Sequence, residues 1–163
     1  MLLACEEAVR AMRSELLMWI ALKDDNPNAA WDYLVEAEMA ARTVVQVHVV
    51  MDGMEEYISR LHSLEQLLFP RALFFSIGGV VEASECSICG AEYGSCNHLA
   101  GEAYMGKVCA RVITKLQAVR ELSVVTEPAN KRCRIYSFSE GGVTRDVMSW
   151  REVPKDAGDS SEG

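Results

Sequence analysis

Cys86, Cys89, Cys96 and His98 are the residues whose types and spacing suit shared chemistry in this sequence. Cys86 and Cys89 stand as C-x-x-C, a spacing that lets two thiolates converge on one metal ion from a tight turn. Gly90 follows, free to take the positive φ that such a turn often needs. Cys96 and His98 form a second pair, C-x-H, and Gly94 and Asn97 suit the turn chemistry between the pairs. Three thiolates and one imidazole complete a tetrahedral shell and leave no open position, which points to a structural rather than a catalytic metal. The soft, sulfur-rich donors favour Zn²⁺ over Mg²⁺ or Ca²⁺. Cys109 is an alternative ligand, or a buried thiol at the start of an apolar segment. A disulfide pair or scattered core thiols is the competing account. Local clustering counts against it, as does the N-terminus, where Glu6 and Glu7 interrupt any apolar leader.

His48 and His62 fall in helical patterns without a Cys, Asp or second His three or four residues on, so each is expected to be a packed or surface residue. Tyr93 and Tyr104 flank the ligand set and would be the bases' stacking partners if this were a nucleic-acid-binding zinc knuckle. Only Lys107 and Arg111 lie near the ligands, and the chain carries a net charge of −8, so phosphate neutralisation is poorly provided for. Lys131, Arg132 and Arg134 are the one small basic cluster, expected as a solvated edge.

The elements that must position the site follow from length and pattern. A chain of 163 residues, half of them apolar, is one domain, or one domain with an extension. No apolar run reaches the roughly 20 residues that span a bilayer, and a cytoplasmic location with reduced thiols is expected. Residues 3–23 carry Val9, Met12, Leu16 and Trp19 at helical steps. Asn26 and Pro27 suit the cap and first position of a second helix, with Trp31, Leu34, Val35, Glu38, Ala41 and Val45 along one face. Val44–Val50 is apolar enough for burial on more than one side, and Gly53 marks a kink or break. A third helical stripe, Tyr57, Ile58, Leu61, Leu64 and Leu68, ends before Pro70.

Beyond it, residues 72–82 read as strand, bend, strand around Gly78 and Gly79. Residues 108–118 fit a strand or a short helix, and 121–126 a strand. Residues 134–138 and 143–150 fit a hairpin around Glu140-Gly141-Gly142. The predicted class is α+β: a helical hairpin of two or three helices over 1–70, a small, mainly antiparallel β module with a structural zinc site over 71–153, and a disordered acidic tail over 154–163.

Two stretches, Phe75-Ser76-Ile77-Gly78-Gly79 and Arg120-Glu121-Leu122-Ser123-Val124-Val125-Thr126-Glu127-Pro128-Ala129-Asn130, resemble late strands of phage prohead (capsid-maturation) serine proteases. Some phage head proteins of this kind are similar in placing a C-x-x-C…C-x-H cluster between the two. The resemblance covers about residues 73–135 and leaves the N-terminal half unmatched. It implies a related β fold, a phage, prophage or phage-defence setting, and Ser76 as nucleophile. The family's histidine lies on an earlier strand, where this sequence has helix patterns, leaving only His48 or His62 as a base; a serine without a base is a weak nucleophile.

Three functions are therefore weighed. The favoured one is a non-enzymatic zinc-binding interaction or assembly protein that meets a protein partner or a second copy through its N-terminal helices. The others are a prohead-type serine protease and a zinc-knuckle nucleic-acid-binding module.

Overall fold

The computed structural model describes residues 2–48 and 53–154. Three helices come first: α1 (Leu2–Lys23), α2 (Pro27–Val47) and α3 (Met54–Leu68). Among the described residues six strands follow in three antiparallel pairs, so the layout is α+β. The long pair is β1 (Phe74–Cys86) with β4 (Arg111–Val125). The short ones are β2 (Ala103–Tyr104) with β3 (Lys107–Val108), and β5 (Ser137–Glu140) with β6 (Val143–Asp146). Among the described residues no helix is long and apolar enough to cross a membrane. The end of the Val44–Val50 stretch and the tail after Pro154 lie outside the described residues.

Helix starts follow local chemistry. Asn26 accepts a hydrogen bond from the Ala29 amide at 3.2 Å, and Pro27 fills the first position of α2, where no N–H is needed. Gly53, with φ of 84°, separates α2 from α3, and Glu55 and Glu56 sit in the first turn of α3, where carboxylates meet the positive end of the helix dipole.

The large apolar stripe of α1 is not the side that packs on the rest of the chain. Val9, Met12, Leu16 and Trp19 face outward, and the buried side of α1 is Ala4, Ala11, Ser14, Met18 and Ala21. The reason is size. The facing side of α2 carries Ala30, Ala37, Ala40 and Ala41, and two rows of small side chains let the helices approach closely, which a row of Leu and Trp would prevent. On α2 the expected face is buried except Val45, whose place is taken by Val44. On α3, Leu61 is fully buried, Tyr57, Ile58 and Leu64 are half-buried, and Leu68 is exposed.

Trp31 joins the helices to the strands. Its ring meets Phe69 edge-on at 5.4 Å and Phe74 at 6.1 Å, and its Nε1 donates to the Lys131 carbonyl at 3.3 Å. Phe69 closes α3 and Phe74 opens β1, so one buried indole fixes where the ribbon leaves the bundle. The returning chain is bonded at the same place, through Phe75 N–H to Cys133 O and Ile135 N–H to Leu73 O, each 2.8 Å.

Residues 72–82 correct a sequence expectation. They contain no bend that divides two strands; β1 runs unbroken through Gly78 and Gly79. The glycines are needed because pairing with β4 slips there and three more times before Cys86. A Cβ on Gly79 would stand 2.9 Å from the Ala118 backbone oxygen, whereas one on Gly78 would meet the flexible Glu121 side chain. The segments expected over 108–118 and 121–126 merge into the single strand β4.

The terminal hairpin is shorter than expected, and Asp146 ties it to α2. Its Oδ1 accepts from the Met148 and Ser149 amides at 3.0 and 2.7 Å, and its Oδ2 accepts from Asn28 Nδ2 at 2.9 Å. The basic cluster is not a solvated patch. Lys131 Nζ bridges Glu38 and Glu65, and Arg134 is buried, stacked 4.0 Å over the Tyr136 ring and donating to Asn28 Oδ1 at 2.7 Å. Only Arg132 stays exposed.

Two predictions follow from this packing. Gly79→Ala should lower stability by about 1–3 kcal/mol in urea unfolding, as overpacking against backbone does, while Gly78→Ala should cost clearly less; equal costs would contradict the close approach at Gly79. Burial pushes the Asp146 carboxyl up, but the donors from Asn28, Ser149 and Met148 outweigh it and hold the pKa below its ordinary value. Its contribution is therefore complete above the unfolded carboxylate range near about pH 4 and drains away as pH falls through the lower folded value. Asp146→Ala should be less stable than the parent at pH 6, and the gap should close toward pH 2.

Candidate metal centre

The far end of the β1–β4 ribbon carries the thiol cluster. Cys86 is the last residue of β1, and Ser87 N–H bonds to Ala110 O at 3.0 Å, closing the ladder beside the start of β4. The chain then turns tightly. Gly90 N–H donates to Cys86 O at 2.8 Å with Gly90 at φ of 71°, and Cys86 N–H reaches Ala91 O at 2.8 Å. That turn brings Cys89 back over Cys86. Gly94, at φ of 99°, and the Ser95-to-Glu92 bond at 3.0 Å reverse the chain again and deliver Cys96 and His98 to the same point.

The ligand atoms of Cys86, Cys89, Cys96 and His98 all lie within 4.8 Å of one another. The four residues named from spacing are thus brought together. Cys86 is buried, Cys96 and His98 are half-buried, and Cys89 is exposed. Cys109 is buried with its sulfur 3.7 Å from Cys86 Sγ, outside the set of four. Its backbone is fixed by the β2–β3 hairpin, through Cys109 N–H to Glu102 O and Gly101 N–H to Cys109 O, both 2.8 Å.

The electrostatics suit a cation. Burial pulls the Cys86 thiol up, yet backbone donors from Cys89 and Ile88 and the thiols of Cys109 and Cys89 outweigh it and bring the pKa down to about 6. The Ile88 amide stands 3.4 Å from the Cys86 sulfur. Burial and the neighbouring Cys86 sulfur push Cys109 up; at Cys96 the His98 amide pulls down, but burial and the Cys89 and Cys86 sulfurs outweigh it and push that thiol up as well. His98 Nδ1 is buried without a hydrogen-bond partner in the protein. A buried ring nitrogen left unpaired is costly, and a metal ion shared with three sulfurs is a chemically matched partner for it. The residues present therefore fit a four-coordinate metal.

Tyr93 and Tyr104 serve this lobe. The Tyr104 hydroxyl accepts from the Leu99 amide at 3.0 Å and its ring meets His98 edge-on at 4.6 Å; the Tyr93 hydroxyl accepts from the Ala100 amide at 3.2 Å. Arg111 lies 5.6 Å over the Tyr93 ring.

Ser76 is exposed on β1 opposite Ser123, and no hydrogen bond joins its hydroxyl to a histidine among the described residues. His62 contacts Glu65 and Gln66, at 3.1 and 2.9 Å, and His48 follows the last turn of α2. One grouping was missed by the sequence reading. Glu38, His62 and Glu65 also place ligand atoms within 4.8 Å of one another, in the wall of a groove of about 740 Å³ between α2, α3 and residues 126–131. The His62–Glu65 step of three residues was visible in the sequence; Glu38, from another helix, was not. Lys131 Nζ, 2.7 Å from Glu38 and 2.6 Å from Glu65, already supplies the cation there.

In a metal titration, Cys89→Ser and Cys96→Ser should lose the single bound ion. Cys109→Ser should keep it, with affinity reduced by about 10- to 100-fold at most, the size of an outer-shell effect; loss of the ion in Cys109→Ser alone would exchange its role with His98. No family model matches this chain, and no curated protein or solved structure does either.

Proposed function

We propose that this chain is a non-enzymatic interaction or assembly protein whose β ribbon is fixed by one structural Zn²⁺. The observation that carries the reading is the convergence of Cys86, Cys89, Cys96 and His98 within 4.8 Å. Four protein ligands fill a tetrahedral shell and leave no place for a substrate or activated water. Three sulfurs and one nitrogen select zinc among the common divalent ions. The groups weighed for catalysis do not form a constellation: Ser76 has no base within hydrogen-bond reach among the described residues. The tyrosines that would stack bases are bonded into the lobe, and the nearby cations are few, so the nucleic-acid reading gains nothing from the geometry.

Binding would be carried by the helices, whose outer surface is apolar, and by the ribbon, whose exposed residues include Ile77, Val119, Leu122 and Val124. Such surfaces on a folded chain mark sites of contact with other macromolecules. A phage, prophage or phage-defence setting is supported by the likeness of residues 73–135 to prohead-protease strands.

A native mass spectrum of protein purified without chelator should show one zinc per chain. Removing the metal, or Cys86→Ser, should unfold the metal lobe and the adjoining ribbon while the helices persist, because binding free energy at a structural site is folding free energy. The readout is loss of amide-exchange protection in β1 and β4 with protection retained in α1 and α2. Protein that arrives metal-free and keeps the protected ribbon would overturn the reading.

A further inference from the structure

The outward side of α1 is a regular seam. Leu2, Cys5, Val9, Met12, Leu16 and Trp19 follow one another at alternating steps of three and four, the a and d positions of a heptad sustained from Leu2 to Trp19. Each is exposed: Leu2 by 89 %, Val9 by 60 % and Leu16 by 64 %. Ile20, beside the seam, is also exposed, and the small residues that pack on α2 lie on the opposite side of the helix. A strict a/d repeat is what a helix presents to another helix, narrower than the stripe it buries against a globular core.

We propose that this seam takes a second copy of the same chain, α1 against α1, antiparallel about a two-fold axis. The proposal rests on the reading of this chain as an interaction protein and names its partner. Three observations select a second copy in that orientation. The first is extent: the six seam residues and Ile20, every one exposed, run the length of α1, so a second α1 laid along it covers them all at once. The second is fit. Antiparallel alignment over the full seam sets Leu2 against the partner's Trp19, Cys5 against the partner's Leu16 and Val9 against the partner's Met12. Each layer then joins a smaller side chain to a larger one.

The third is charge. Glu6 and Arg13 occupy successive e positions beside the seam, both exposed and both without an ion pair among the described residues. In the same alignment Glu6 faces the partner's Arg13, and the two-fold axis repeats the pair. Parallel pairing loses this. It would set Trp19 on the partner's Trp19, and Arg13 beside the partner's Ala8. Glu15, the remaining charge at the border, already holds Arg60 of its own chain at 2.7 Å.

The test is native mass spectrometry of the full chain at about 10 μM, a concentration at which a standard interface is populated. Chain number and metal number are read separately from the same mass. The expected particle is a dimer. Leu16→Glu should weaken association by about thirty-fold or more, the size of a hot-spot loss, with metal content and helical circular dichroism unchanged. Glu6→Arg and Arg13→Glu should each weaken it by about three- to tenfold, and the double variant Glu6→Arg/Arg13→Glu should regain the parent affinity. These two positions are solvent-exposed, so the charge exchange remains decisive even if Leu16→Glu does not fold. A monomer, a dimer indifferent to these changes, a double variant that fails to recover, or a different protein held on this face would overturn the proposal. A metal-loaded monomer would do so while leaving the zinc reading intact, and a metal-free dimer would do the reverse.

Discussion

A two-stranded ribbon has no interior. Apart from single bridges near the two ends of β1, to Arg134 and Glu92, β1 and β4 pair with each other, and nearly every residue of β4 is exposed. Such a pair is marginal in water on its own. The ribbon must be held from its ends, and the rest of the molecule can be understood as two fastenings. At one end Trp31, Phe69 and Phe74 form an aromatic joint closed by a hydrogen bond to the Lys131 carbonyl. At the other end there is too little apolar surface for a second core, and four side chains that could hold a metal ion stand in its place.

The helical half obeys a different constraint. Alanine rows bring α1 and α2 together, so the large apolar side chains of α1 are left on the outside. One buried charge in this half is paired across elements. Glu38, almost wholly buried, is held by Lys131, which arrives from the chain segment that leaves the ribbon. Burying one carboxylate without a cation would be costly, and the pair fixes the segment 126–131 against α2 and α3 more through that penalty than through its own attraction. Lys131 thus acts twice, once through its carbonyl on Trp31 and once through its ammonium.

Legibility in the sequence followed the range of the governing interaction. The cysteine cluster was legible because ligand spacing and glycine turns are local, and Cys86, Cys89, Cys96 and His98 meet where the spacing put them. The cap at Asn26 and Pro27 was legible for the same reason. The orientation of α1 was not: apolar periodicity identifies a helix and its stripe, but which side faces inward is decided by a neighbouring helix whose alanines carry little periodic signal. The unbroken β1 was hidden because a glycine pair marks a bend and a bulged strand equally well. Lys131 and Arg134 looked like a surface patch because their partners, Glu38, Glu65 and Asn28, are about 70 to 100 residues away in the chain.

Both fastenings reach α2. Phe74 lies against Trp31, and in the metal lobe Gly101 approaches Gln46 so closely that a Cβ would stand 2.6 Å from its amide nitrogen. Those points on α2 are about 22 Å apart by helical rise, whereas the strand leading from one toward the other is about 40 Å long. The ribbon is longer than the stretch of α2 between its fastenings. Between the same end pairs β1 has 13 residues and β4 has 15, the surplus being absorbed where the register slips. β4 is thus the longer lane of the pair, and its surplus is spread over several slips rather than set at any single point. A lone insertion in β1 would therefore shorten the surplus and move the pairing of Cys86 with Arg111 out of register, disturbing the base of the thiol cluster with every one of its side chains still present.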